Sequence, residues 1–403
     1  MLMLIRYQTD SWGTGLRALV SGAQSIAPLH ESEEGDVGEI TAGMNELAFY
    51  TLAGAPRSPR DLITEVGSAE RLGIGACFIS ERLNIKEAAT LSGAVGAVSE
   101  RIGIATAATN HNTRHPLVTA AYATTMHFLT GGRFSLGLGR GIDRMFDAMG
   151  LARVKTRDLE DFVLLMRRLW NGETVAGYQS SLGKFPVLRL DPAFREHIPV
   201  TFTAFGPNSL EFGGKYCDAV VLHTFFTDET TVRCVNAVKD AAKAAGRDPA
   251  ALRVWSCFAT IGDHLPEAVR LKKTVGRMAT YLQAYGDLMV HTNQWDPAVL
   301  KRFRADKLVA TFPGAIDQIA TAAQLEQIAE LIPNSWLAPA AQGNPSQCVA
   351  AINHQFDLGC DGVILHGASP DDLAPIVQAY AAQRRADLFA DLPPNPGGLR
   401  IGL

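Results

Sequence analysis

Six apolar runs in the 403-residue chain each end in groups that can hold a ligand or move a proton. Glu81 and Arg82 follow ACFIS, and Thr109, Asn110 and His111 follow IGIATAA. Arg140, Gly141 and Asp143 follow FSLGLG, and Gly206, Pro207, Asn208 and Ser209 follow IPVTFTAF. His223 and Thr224 follow DAVVL, and His366 follows DGVIL. A carboxylate or an imidazole at such a place can act as general acid or base once burial tunes it. Taken singly, each has a plainer reading. Glu81 and Arg82 pair up at a surface, the two histidines are packed imidazoles, Thr109 and Asn110 form a turn, and Arg114 braces a loop. LGLGRG lacks both the lysine of a phosphate loop and the spacing of a dinucleotide fingerprint. Gly139 and Gly141 read better as a tight strand end that lets a flat ligand reach the backbone. AFGPNS is the stronger anion candidate, because it joins a strand end to a helix opening at Pro207. An ordinary capped helix start is the plain alternative there.

The elements that must position these groups alternate. Apolar runs at 46–54, 76–81, 102–110, 134–141, 198–206, 218–226, 252–262 and 361–367 are separated by amphipathic segments that open on Ser, Asp or Pro and often close on Gly. Runs this short and continuously apolar are strands buried on both faces, as in a parallel sheet. Eight of them alternating with helices predict a (β/α)8 barrel, with a doubly wound open sheet as the rival. Two stretches exceed one repeat. The segment 172–197 reads as a small hairpin, and 264–360 as an insertion before the last strand. In a barrel the site lies at the C-terminal strand ends, where all six polar clusters fall. Residues 1–43 carry no periodic apolar face. They read as an over-extended start ahead of Met44 or, less favoured, as a loosely packed arm. The expected barrel spans 44–390, followed by a tail at 391–403.

Composition narrows the classes. Hydrophobic residues make up 47% of the chain and exclude general disorder. A net charge of −4 argues against a nucleic-acid binder working by bulk electrostatics. No apolar run reaches membrane-span length. The six cysteines form no C-x-x-C pair and read as buried thiols of a cytoplasmic protein. Neither a G-x-S-x-G elbow nor H-E-x-x-H nor a zinc set is present, so no metal site is expected. A pocket with scattered polar groups and few strong acids suits a bound cofactor that carries the chemistry.

The block TAATNHNTRHPLVTAAYATTMHFLTGGRFSLGLGRG resembles the most distinctive stretch of the luciferase-like monooxygenase superfamily. VTFTAFGPNSLEFGGKYCDAVVL resembles its phosphate-binding block, and WLAPAAQGNPSQC with GCDGVILHG its C-terminal block. Within the superfamily the chain looks most like the branch that uses the deazaflavin coenzyme F420. The resemblance implies a barrel oxidoreductase moving a hydride between F420 and a small organic substrate, in a homodimer. FMN with oxygen chemistry is the alternative, and a non-catalytic flavin-binding barrel is a third reading. It further implies that a strand-3 bulge with a non-prolyl cis peptide, at Ala107–Ala108–Thr109, backs the cofactor ring. Gly139, Arg140 and Gly141, with Gly206 to Ser209, would hold the rest of the cofactor. The family's strand 2 ends in Asp-His where this chain has Glu81 and Arg82, so the usual histidine is missing. Glu81, Thr109 and Asn110 are then the expected polar groups at the reactive edge, with Glu81 and Asn110 the candidate catalytic residues.

Overall fold

The computed structural model describes residues 43–399 except Ala55. The expectation for the first 43 residues therefore falls, apart from Gly43, outside the described residues. Eight parallel strands close into a barrel: β1 (Met44–Tyr50), β2 (Ile74–Ile79), β3 (Gly103–Thr106), β4 (Phe134–Leu138), β5 (Val200–Thr203), β6 (Ala219–Val221), β7 (Arg253–Gly262) and β8 (Gly362–His366). Each pairs with the next, β7 pairs with β8, and β8 returns to β1. All eight lie inside the apolar runs read from the sequence or within two residues of them. Most stop short of the run's end, because the final polar residues leave the ladder to line the barrel mouth.

The segment 175–188 is the expected hairpin, with antiparallel strands Val175–Ser180 and Gly183–Leu188. The long insertion is helical, apart from a short strand Ala341–Gly343 that extends β7's edge. It has its own core, in which Met278, Leu282, Met289, Phe303, Ile328 and Trp336 pack against Phe225, Ala259 and Ile261 of the barrel. Stacking of Trp295 on Trp336, 4.3 Å between centroids, locks two of its segments together.

Within the expected tail, residues 391–399 close the barrel floor. Trp255, wholly buried, donates its indole N–H to the Pro396 carbonyl at 2.8 Å. The buried Arg253 guanidinium lies 4.1 Å over the Trp255 ring and donates to the Asn395 carbonyl. Burial lowers its pKa to about 10. The Asn395 amide donates to the carbonyls of Gly132 and Phe134 and accepts from Gly397 N–H. Asn395→Ala leaves the buried Phe134 carbonyl and Gly397 N–H, and the half-buried Gly132 carbonyl, short of a partner. The expected loss is about 2–4 kcal/mol in urea unfolding. A loss under half a kilocalorie, on the order of the error of such measurements, would mean that water replaces the amide.

Candidate functional site

The site grows from the irregular ends of the strands. At β3 the ladder breaks after Thr106, whose hydroxyl donates to the Gly137 carbonyl and accepts from Gly137 N–H, both at 2.7 Å. Ala107–Ala108 is a cis peptide, at the place the resemblance implied. Thr109 then rejoins β4, its N–H donating to Gly137 and its carbonyl accepting from Gly139. A side chain at Gly139 would put its Cβ 2.7 Å from the Thr203 hydroxyl and 2.8 Å from the Ala108 methyl. Only glycine lets β4 close on this bulge. The result is a flat floor of small groups at the mouth, suited to a planar ring.

Glu81 is buried at the end of β2, its side chain 2% exposed. It accepts from the Thr109 hydroxyl at 2.7 Å and from Ala88 N–H, and forms an ion pair with Arg114. Arg114 also pairs with Glu87 and donates to Thr109 at 2.8 Å. Glu87 in turn caps the helix Ala88–Val98, and its pKa is lowered to about 2, because the helix-end N–H groups and Arg114 outweigh its desolvation. Arg82 turns away from Glu81 and donates to the Gly54 carbonyl at 3.3 Å. Asn110 donates its amide to the Gly139 carbonyl at 2.8 Å. The structure thus brings Glu81, Thr109 and Asn110 together, as a brace behind the bulge with their hydrogen bonds directed into protein.

Arg140 is taken up by Thr156 and the Val154 carbonyl, and holds the loop that follows. Gly141 has φ +69 and abuts Phe146, where a Cβ would collide at 2.3 Å. The opening of the helix Pro207–Tyr216 is a thinner anion cradle than expected. Pro207 has no N–H, and those of Ser209 and Leu210 donate back to the Gly206 carbonyl. Asn208 N–H remains without an acceptor among the described residues. Beside this helix opens a cavity of about 820 Å³. Phe205, Pro207 and Leu210 form one wall, and Arg233, His291, Lys301 and Arg304 contribute basic groups.

Three residues of the mouth went unrecognised in the sequence. Arg277, Tyr281 and Tyr285 recur every four residues in the helix Arg277–Asn293 and so share one face. That face lies over the ends of β6, β7 and β8. Helical geometry breaks at Tyr285 (φ −153°, ψ 36°), re-aiming its ring within the helix. Tyr285 meets His223, whose Nε2 lies 3.0 Å from the phenol oxygen. The other ring nitrogen, Nδ1, lies 3.0 Å from the Thr224 carbonyl, which can only accept. Nδ1 therefore carries the proton and Nε2 accepts from the Tyr285 hydroxyl. Phe205 stacks flat on the imidazole, 4.2 Å between centroids and 3° apart in plane. Burial lowers the His223 pKa to about 4 and raises that of Tyr285 well above 10. At neutral pH the pair is a neutral imidazole holding a neutral phenol. Thr224, whose hydroxyl touches Cys257 at 3.3 Å, lies beneath them. The Cys257 thiol is pushed up to about 11 by burial and is no nucleophile. His366, at the end of β8, is also held neutral, by burial first and then by Arg277.

These histidines set a pH dependence. Each has a folded pKa below the ordinary 6.5, so the unfolded chain binds more protons between the two values. Their contribution is complete above pH 6.5 and is lost as pH falls through the folded pKa. For His223, between 6.5 and about 4, the loss approaches about 3 kcal/mol, and His366 adds to it with the same sign. Melting temperature should drop steeply from pH 6.5 to 4, and His223→Gln should flatten part of the drop. An unchanged slope in that variant would show that His223 is already hydrated and titrates normally.

No group of three or more metal-ligating side chains, and no helix long and apolar enough to cross a membrane, occurs among the described residues. The structure is a parallel (β/α)8 barrel whose mouth combines a floor of small residues with a neutral His–Tyr pair. The chain belongs to the luciferase-like monooxygenase family, whose sequence model matches residues 45–362, and is an oxidoreductase of that family. It is 25% identical over 301 residues to a 5,10-methylenetetrahydromethanopterin reductase of Methanolobus tindarius, covering 73% of this chain and 86% of that one. The coenzyme F420-dependent tetrahydromethanopterin reductase of Methanopyrus kandleri shares the fold with TM-score 0.68 at 17% identity, over 85% of this chain and 98% of that one. The oxygenating constituent of 3,6-diketocamphane monooxygenase of Pseudomonas putida, a structure containing FMN, matches with TM-score 0.58 at 20% identity, over 86% and 97%.

Proposed function

We propose that this protein transfers a hydride between coenzyme F420 and a small organic substrate that interconverts between alcohol and carbonyl. The observation that carries the reading is the Tyr285–His223 pair, with its proton direction fixed by the Thr224 carbonyl. An alcohol loses a proton from oxygen as it loses a hydride from carbon. Tyr285 can take that proton while passing its own to His223 Nε2, so charge never accumulates on the phenol. In the reducing direction the same two protons move back. This pair supplies, from β6 and the insertion, the histidine that the end of β2 lacks. Bound F420 would supply a two-electron hydride carrier. Its ring would rest on Ala107, Ala108 and Thr109, and its phosphate would lie towards Gly206–Ser209. Glu81, Arg114 and Asn110 act from behind the bulge, as positioning residues for that floor. The F420-dependent fold neighbour supports F420 as the carrier, and the FMN-containing neighbour keeps FMN as the alternative.

Two further readings belong to this proposal. All six cysteines are free and buried, which fits a reducing, cytoplasmic compartment. The helices Ala88–Val98 and Pro116–Thr130 pack side by side and expose Val98, Val118, Phe128 and Leu129. This apolar face is the proposed homodimer contact.

Equilibrium titration of the cofactor-free protein with F420 and with FMN, followed by absorbance, tests the cofactor. The expected result is F420 binding at least about tenfold tighter, roughly 1.4 kcal/mol. Tighter FMN binding with oxygen uptake would replace the reading by a monooxygenase. Binding without turnover of any alcohol or ketone would leave a carrier barrel.

A further inference from the structure

The mouth holds positive charge that the protein does not neutralise. Arg277 reaches down from the insertion helix onto the end of β8. Its Nη1 lies 2.9 Å from Nδ1 and 3.1 Å from Nε2 of His366. A nitrogen so nearly equidistant from both ring nitrogens sits over the face of the imidazole, because the ring carbon between them blocks an in-plane approach. On another side the guanidinium rests on Gly367, where a Cβ would stand 3.2 Å from Cζ and 3.3 Å from Nη2. The glycine after β8 leaves the room that the guanidinium fills. The buried Nε–H of Arg277 has no acceptor among the described residues.

No carboxylate of the described residues lies within ion-pair distance of Arg277 or Arg82. Glu81, the acid of the neighbouring strand ends, is committed to Arg114. Lys273 is one helical turn before Arg277 and caps the Gly367 carbonyl, with Asp372 as its partner. His366 cannot compensate the charge, since it is itself neutral. Holding a partly buried guanidinium without a counter-ion is costly, and a ligand anion removes that cost.

We propose that Arg277 is the anchor for an anionic group of the substrate, and that the substrate class is a small hydroxy- or oxo-carboxylate. The planar guanidinium matches a carboxylate in shape as well as charge. Arg82 adds long-range attraction from the rim of β2. The inference deepens the functional reading above and shares its site, but the binding it describes needs no cofactor. An anionic part of the cofactor is the competing source of the same chemistry.

Calorimetric titration of the cofactor-free, full-length protein distinguishes these sources. The probes are acetate, butyrate and benzoate, each against its neutral amide. Carboxylates are expected to bind and amides to bind at least about tenfold more weakly. Arg277→Met should remove the preference, and Arg277→Lys should retain part of it, since charge remains and the planar fork is lost. F420 affinity should stay within about threefold of the parent in both variants. Equal binding of acids and amides, no binding of any acid, or an unchanged preference in Arg277→Met would each overturn the proposal. So would a large loss of F420 affinity with carboxylate binding intact, which would assign the charge to the cofactor. Carboxylate binding without F420 binding sinks only the cofactor reading. Arg277→Lys and thermal melts of both variants separate loss of the site from loss of the fold.

Discussion

Replacing Tyr285 by Phe is expected to lower kcat for alcohol oxidation by about 10²–10⁴-fold, with F420 affinity nearly unchanged. The substitution keeps the ring, which packs edge-on to Phe205 at 5.5 Å and stacks with Tyr281 at 5.4 Å. It removes only the hydroxyl that faces His223 Nε2. The imidazole would then face the substrate across the space the hydroxyl filled. His223→Gln should cost a similar factor, because the phenol would have no acceptor for its proton. The double variant should cost little more than either single one, as for two groups that act as a unit. In the parent, the alcohol-oxidation rate should rise with pH through the His223 pKa near 4 and then level off. That is the sign required when the neutral imidazole is the competent form. Tyr285→Phe with activity within about twofold of the parent would remove the relay and return the proton transfer to strand 2.

Why the His223–Tyr285 contact was hidden in the sequence, when the barrel was legible, has a physical basis. Strand burial is a local property: each of the eight apolar runs must cross a layer buried on both faces, so composition over a few residues reports it. His223 also stood out locally, at the end of DAVVL. Its partner lies 62 residues away, on a helix whose seventeen residues mix polar and apolar positions. Nothing local shows that the Arg277–Tyr281–Tyr285 face looks down on the barrel, because the fold of the insertion decides that. The recurrence of Arg, Tyr and Tyr at four-residue spacing was the available signal. Glu81 shows the opposite limit. Its place at a strand end was correct, but the sequence could not show that Arg114, 33 residues on, would occupy it. The tail illustrates a third case. Residues 391–399 are rich in Pro and Gly and read only as a tail, yet the Asn395 amide and the Asn395 and Pro396 carbonyls close the floor against Phe134, Arg253 and Trp255.

Glu81 carries the second large effect, and it is one of stability and cofactor affinity more than of turnover. Glu81→Ala leaves Arg114 with Glu87 alone, whose carboxylate is 38% exposed and already committed to capping a helix. The Thr109 hydroxyl loses its acceptor, and Ala88 N–H loses one as well. Breaking a buried pair from one side costs about 3–5 kcal/mol, and the surviving Glu87 contact reduces that to about 2–4. Thr109 belongs to the bulge that floors the proposed ring site, so F420 should bind at least about tenfold more weakly to the Ala variant. Glu81→Gln keeps the shape and an oxygen acceptor for Thr109 and loses the charge facing Arg114. It should recover much of the cofactor affinity, with kcat within about tenfold of the parent. Replacing both Glu81 and Arg114 by apolar residues of similar volume should be less damaging than Glu81→Ala, because no buried charge is then left unpaired. Urea unfolding gives the stability terms, and absorbance titration gives the affinity. If Glu81→Gln abolished turnover while F420 bound as before, Glu81 would be the proton acceptor. The brace described here, with its hydrogen bonds all directed into protein, would then have to open during the reaction.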